Sequence, residues 1–89
     1  MHEHALIDTL MRRIGEIAAA EGARKVVRAS VWLGALSHMS PDHFREHFDQ
    51  AAAGTLAEHA AIEVTLSDDI HDPNATSVLL RGVEVETDG

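Results

Sequence analysis

Apolar residues recur near the start of the chain at the spacing of an amphipathic helix. The repeat comprises Leu6, Leu10, Ile14, Ile17 and Ala18, widened by Ile7 and Met11. Spacings of three and four residues place such side chains on one helical face. We therefore predict a helix over residues 4–20 that ends at Gly22, because glycine often follows the last helical turn.

Apolar and polar residues alternate in three later segments, a pattern typical of strands. Residues 25–36 are rich in β-branched side chains and predict a strand. Its buried face is expected to comprise Val27, Ala29, Val31 and Leu33. Residues 62–66 predict a second, half-buried strand. In residues 77–86 the apolar positions change phase at Arg81-Gly82, so we predict a third strand with a bulge there.

A second helix is predicted between the first two strands. Ser40, Pro41 and Asp42 supply an N-cap, a first-turn proline and a first-turn acid. The buried positions are expected to be Phe44, Phe48 and either Ala51 or Ala52. Gly54 marks the end of the helix.

The order helix, strand, helix, strand, strand predicts an α+β fold, a two-layer α/β sandwich. A crossover helix between two strands favours a parallel pair, and the short polar loop 67–75 favours an antiparallel hairpin of the last two strands. The small three-stranded sheet is therefore expected to be mixed. Because each strand has one polar face, both helices should cover the same side. The 89 residues predict a single domain, 1–89.

Composition and charge exclude several classes of protein. The net charge of −8 disfavours partners such as nucleic acids and anionic membranes. No apolar run approaches the ~18 residues of a membrane span, and no signal-peptide pattern is present, so we expect a cytoplasmic location. The absence of cysteine excludes disulfides, thiolate zinc sites and thiol catalysis. With no phosphate loop, nucleophile elbow or ordered triad, an enzyme is not expected.

Most of the basic residues lie in the first third of this acidic chain. They are Arg12, Arg13, Arg24, Lys25 and Arg28. Such a stretch can bind an acidic partner, or it can be a solvated helix face and strand edge.

The first four residues, Met1-His2-Glu3-His4, are the sharpest chemical feature. A free α-amine, the amide nitrogen of residue 2 and the His2 imidazole can chelate one metal in a plane and leave a fourth position open. Such tetragonal, all-nitrogen geometry suits Ni(II) or Cu(II). From composition alone, a disordered terminus that contains histidine is the alternative.

The remaining histidines carry weaker signals. His43 and His47 are four residues apart, a spacing at which two imidazoles can share a metal, although a solvated helix edge is the simpler interpretation. His38 lies in the loop before the second helix, from which it can approach the N-terminus. His71 belongs to an acidic loop, and His59 is most simply structural.

Four segments carry a family resemblance that covers nearly the whole chain. They are MHE at 1–3, VWLGALS at 31–37 ahead of Pro41, GTLAE at 54–58 leading into IEV at 62–64, and LRGVEVE at 80–86. With these segments the chain resembles the HypA/HybF family of nickel-incorporation proteins, which act in the maturation of nickel–iron hydrogenases.

The resemblance implies a nickel-binding metallochaperone that delivers Ni(II) during hydrogenase maturation. His2 would be the principal nickel ligand, with the amine of Met1 and the backbone amide or side chain of Glu3 beside it. His4 and His38 are additional candidates. The implied partners are the maturation GTPase and the precursor of the hydrogenase large subunit.

Two departures from the family pattern change these expectations. Family members carry a zinc module with two Cys-x-x-Cys pairs between the last two strands, where this chain has only the loop 67–75, so no zinc is expected. Ser40 stands where many members have an acidic residue. The alternative function is a zinc-less regulatory or structural paralogue that docks to the same partners without transferring nickel. An uncovered sheet face also raises the expectation of a homodimer.

Overall fold

A computed structural model describes the backbone of residues 2–88 and the side chains of residues 5–88. The elements are α1 (His2–Ala20), β1 (Ala23–Leu33), α2 (Pro41–Ala52), β2 (Ala61–Leu66) and β3 (Val78–Thr87). Their order confirms the predicted α+β fold. β1 begins and ends earlier than predicted, and it stops just before Gly34.

The three strands form one sheet in the order β2-β1-β3, with β1 in the centre. β1 is parallel to β2, with Val31 opposite Val64, and antiparallel to β3, with Ala29 opposite Val83. The mixed sheet is therefore confirmed. The predicted hairpin of the last two strands is wrong, because β3 pairs with β1 at the opposite edge from β2.

The connection from β2 to β3 crosses the end of β1, which explains this pairing. Ser67 N–H donates to the Leu33 carbonyl at 2.9 Å, and Gly34 N–H donates to the Ser77 carbonyl at 2.9 Å. A Cβ atom on Gly34 would overlap the Ala75 carbonyl oxygen and lie 2.6 Å from the Asn74 carbonyl oxygen. The crossing therefore requires glycine at position 34.

Register shifts in the pairing of β1 with β3 set which side chains reach the core. In β3, Ser30 opposes Gly82 and Val31 opposes Leu80, so Arg81 is the extra residue and the predicted bulge is confirmed. The bulge brings Val78, Leu80, Val83 and Val85 to one face.

In β1, Val26 opposes Val85 and Arg28 opposes Glu84, which leaves Val27 as a second extra residue. Val26 is consequently buried and Val27 only half-buried. The prediction that Val27 belongs to the buried face is wrong, because this bulge shifts the alternation by one residue.

Both helices cover the same face of the sheet, as predicted. The buried residues of the two helices are Ile7, Leu10, Ile14, Ala18, Phe44, Phe48 and Ala52. They form one cluster with the buried strand residues Val26, Ala29, Val31 and Leu33. Burial of a large apolar side chain stabilises a fold by about 1.5–3 kcal/mol, so the two fully buried phenylalanines are major contributors.

The opposite face of the sheet carries polar contacts. Arg28 pairs with Glu63 of β2 at 2.6 Å and approaches Glu84 of β3 at 3.6 Å. The Arg81 guanidinium lies 5.6 Å from the centre of the Trp32 ring. None of the helices in the described part of the chain is long and apolar enough to cross a membrane.

Candidate metal-binding site

Helix α1 begins at His2, the residue with the main predicted metal-binding role. An α-helix leaves its first four amide groups without intrahelical acceptors. The amide nitrogens of residues 2 and 3 are therefore not needed for the helical hydrogen bonds. Met1 and the side chains of His2, Glu3 and His4 lie outside the described residues, so their ligand roles stay predictions.

The topology places the start of α1 at the end of the molecule where β1 terminates. A two-residue turn joins α1 to β1, so they run in opposite directions, and α2 is the crossover between the parallel strands β1 and β2. The two helices therefore run in the same direction. Their starts, together with the loop 34–40, lie at one end of the sandwich.

His38 lies in this loop and is exposed to solvent. Its backbone adopts the left-handed region with φ of 61°, which is uncommon for a residue other than glycine. The buried Met39 follows it and fixes the loop against the core. The structure thus brings the predicted His38 to the same end of the molecule as the start of α1.

Ser40 caps α2. Its hydroxyl accepts a hydrogen bond from the His43 backbone N–H at 3.2 Å. The nearby carboxylate of Asp42 lies 3.5 Å from the guanidinium of Arg45. The side chain at position 40 therefore has a structural role at the helix start.

The other histidines are dispersed, apart from one pair. The ring centres of His43 and His47 on α2 are 4.9 Å apart. His59 precedes β2 with φ of 67°, and the His71 backbone N–H donates to Asp69 Oδ1 at 2.9 Å. Among the described residues, no group of three or more histidine and acidic side chains could hold a metal ion.

An apolar groove lies between α1 and the turn after α2, and the sequence patterns did not reveal it. Its volume is about 350 Å³, and it is lined by Met11, Arg12, Ile14, Gly15, Ala18, Val26, Thr55, Leu56 and Ala57. Leu56 is 45% exposed and is fixed by a 2.8 Å hydrogen bond from Val26 N–H to its carbonyl. Arg24 and Lys25 line an adjoining depression that also contacts Leu56. No spacing pattern in the sequence indicates this groove, because α1 and the turn after α2 come together only in the folded chain.

Residues 1–70 match a family model described as hydrogenase/urease nickel incorporation, metallochaperone, HypA. The chain belongs to the HypA family. The resemblance seen in the sequence is thereby confirmed. The family is one of metallochaperones, which confirms the expectation that the protein is not an enzyme. The matched residues include the predicted ligands at the chain start and end within the connection between β2 and β3.

Individual relatives agree with this assignment. The chain is 41% identical over 63 residues to the hydrogenase maturation factor HypA of Thermococcus kodakarensis, a match that covers 71% of the chain and 45% of that relative. It is 42% identical over 66 residues to HypA of a Bradyrhizobium species, covering 72% and 57%. The matched part of the chain thus spans about half the length of these curated relatives.

A solved structure shows the same fold. The solution structure of the Ni metallochaperone HypA from Helicobacter pylori matches with a TM-score of 0.79 and covers 97% of this chain and 98% of that one. The identity is 16%, so this likeness concerns the fold alone. The fold likeness includes β3, which follows the segment matched by the family model.

Proposed function

We propose that this protein binds Ni(II) at the start of α1 and delivers it during the maturation of nickel–iron hydrogenase. The observation that carries the proposal is the sequence Met1-His2-Glu3 at the beginning of a segment, residues 1–70, that matches the HypA family. The matched family is described by nickel incorporation, which is the function proposed for this chain.

The chemistry of the chain start fits this function. The amine of Met1, the amide nitrogen and imidazole of His2, and the amide or carboxylate of Glu3 supply nitrogen and oxygen donors to one ion. Nickel(II) accepts such tetragonal sites. His4 and His38 are candidates for a remaining position. Because imidazole binds metal in its neutral form, nickel affinity should fall as the solution is acidified.

We propose that the protein performs this role without a thiolate zinc site. The 89 residues contain no cysteine, and residues 67–77 connect β2 directly to β3. This connection is stabilised by local hydrogen bonds: His71 N–H donates to Asp69 Oδ1 at 2.9 Å, and Asn74 N–H donates to Asp72 Oδ1 at 2.7 Å. A short acidic turn therefore stands where the zinc module is expected.

Nickel titration into four versions of the protein tests the proposal. The native chain should bind one equivalent of Ni(II). His2→Ala, and a chain with extra residues before Met1, should bind this equivalent at least tenfold more weakly, because each lacks one donor of the chelate. His59→Asn changes an exposed histidine just before β2, at the opposite end of the molecule, and is the matched control that should retain the native affinity; asparagine tolerates the left-handed backbone of that residue. Equal affinity of all four proteins would contradict the proposal.

The apolar groove favours a second candidate function, docking to maturation partners without nickel transfer. Arg12 lines this groove, and Lys25 lines the depression beside Leu56. The depression also contains Glu58 and Glu86, and Glu86 pairs with Arg24. Arg12 and Lys25 are therefore the cations that fit an acidic segment with apolar side chains. The expected partners are the maturation GTPase and the hydrogenase large-subunit precursor.

A binding assay with these two proteins in the presence of a chelator tests this candidate. Binding without nickel, weakened by Leu56→Ser, would support it. Leu66→Ser is the matched control, since Leu66 is equally apolar and 52% exposed on β2. Binding that requires bound nickel would contradict docking as an independent function.

A further inference from the structure

We propose that His43 and His47 of α2 form a second binding site for a divalent transition-metal ion. Both protein ligands of this site belong to α2, and its existence does not depend on the nickel site proposed at the chain start. Its ligand class is the borderline cations that imidazole prefers, namely Ni(II), Cu(II) and Zn(II).

The geometry of the two rings suits a shared ion. Residues four apart lie on one helical face, and the ring centres of His43 and His47 are 4.9 Å apart with an angle of 57° between the planes. A metal bound to each nitrogen at about 2.0–2.1 Å needs the two nitrogens roughly 3 Å apart. With the ring centres 4.9 Å apart, rotation of the two side chains can bring one nitrogen of each ring to this separation.

The core holds both histidines in position. His43 directly precedes Phe44, and His47 directly precedes Phe48, and both phenylalanines are fully buried. The hydroxyl of Ser40 also caps the first turn through the His43 backbone N–H. Because the two phenylalanines fix the rotation of α2 about its axis, the two imidazoles stay on the same side of the helix. Little backbone ordering is then required when a metal binds.

The surrounding charges favour a cation. Helix α2 carries three acidic residues, Asp42, Glu46 and Asp49, against one arginine, Arg45, which pairs with Asp42 at 3.5 Å. Asp8 of α1 lines a cavity of about 220 Å³ together with His47. The Asp8 carboxylate adds a negative charge on the side of His47 and can accept a hydrogen bond from a water molecule bound to the ion. With two strong donors, this site should bind more weakly than the chelate at the chain start.

The experiment uses a full chain in which the first site is blocked. Residues are added before Met1, and His2→Ala and His4→Ala are introduced, so that nickel bound by this chain cannot come from the start of α1. Ni(II) alone is titrated and followed by calorimetry, and the imidazole proton signals are followed by NMR. We expect one equivalent to bind, with paramagnetic broadening of the His43 and His47 signals.

Single substitutions in the blocked chain decide the assignment. His43→Ala and His47→Ala should each weaken nickel binding at least tenfold, whereas His59→Asn and His71→Ala should leave it unchanged. Circular dichroism of each variant checks that the fold is retained. If the blocked chain binds no nickel at millimolar concentration, or if its affinity survives both α2 substitutions, the second site does not exist. Neither result would affect the site at the chain start.

Discussion

The start of α1 and the end of β1 lie at the same end of the molecule, yet they meet different physical requirements. At the end of β1, Gly34 is covered by the Ala75 carbonyl and its N–H donates to the Ser77 carbonyl, while the Ser67 N–H donates to the neighbouring Leu33 carbonyl. The proposed nickel site at the start of α1 needs an unblocked amine, backbone amides and one imidazole. Packing therefore determines which residues fit at the end of β1. The donor groups of Met1, His2 and Glu3 determine nickel binding at the start of α1. Stability and nickel affinity should be separable by mutation.

A substitution in the core should show the largest difference between its effect on stability and its effect on nickel affinity. Phe48→Ala removes a fully buried side chain and should lower the free energy of unfolding by about 3–5 kcal/mol. Denaturant unfolding measures this loss, and nickel titration of the folded fraction should give native affinity. Leu66→Ala is the control, because truncation of this exposed side chain should lower the free energy of unfolding much less. Equal losses from both substitutions would contradict the assignment of the core.

The next largest loss of stability is expected at Gly34, where the connection from β2 to β3 crosses the end of β1. Gly34→Ala should destabilise the fold by about 1–3 kcal/mol, because its methyl group would overlap the Ala75 carbonyl. Gly15→Ala is the matched control: nothing lies within 4 Å of the added carbon, and alanine favours a helix by about 0.5–1 kcal/mol over glycine. Thermal unfolding should therefore shift in opposite directions for the two variants. A shift in the same direction would refute the role of the crossing.

The smallest change in stability is expected from substitutions at Ser40, the N-cap of α2. Ser40→Ala removes the acceptor for the His43 N–H and should cost about 1 kcal/mol, whereas Ser40→Asp should keep the cap within a few tenths. Denaturant unfolding of the three proteins compares these values. Nickel affinity should be unchanged in Ser40→Ala if the serine is purely structural. A tenfold loss of nickel binding there would instead place position 40 in the metal site.

The sequence predicted those parts of the fold that depend on local patterns. Helix capping at Ser40 and the phase change at Arg81 were visible as residue types and spacing, and both are confirmed. The partner of β3 was mispredicted, because a short connection normally forms a hairpin and only the crossing over Gly34 prevents it. Val27 was misplaced for a related reason, since the β1 bulge becomes visible only when the pairing with β3 is known.

The candidate sites likewise include features that the sequence shows and features that depend on the tertiary structure. The motif at the chain start and the spacing of His43 and His47 are readable from the sequence. The apolar groove is not readable, because it combines α1 with the turn after α2, and their proximity is a property of the tertiary structure. The ligand roles of Met1, His2 and Glu3 stay predictions that depend on direct measurement.

The most direct test of the nickel site is a residue-by-residue NMR titration of the native, unextended chain with Ni(II). The first equivalent should alter the signals of residues 2–4 and their neighbours, with loss of amide protons where the backbone nitrogen binds. The signals of His43 and His47 should change only with further nickel. If the first equivalent instead alters α2 and leaves the chain start unchanged, the account of this protein as a chaperone that loads nickel at its N-terminus is contradicted.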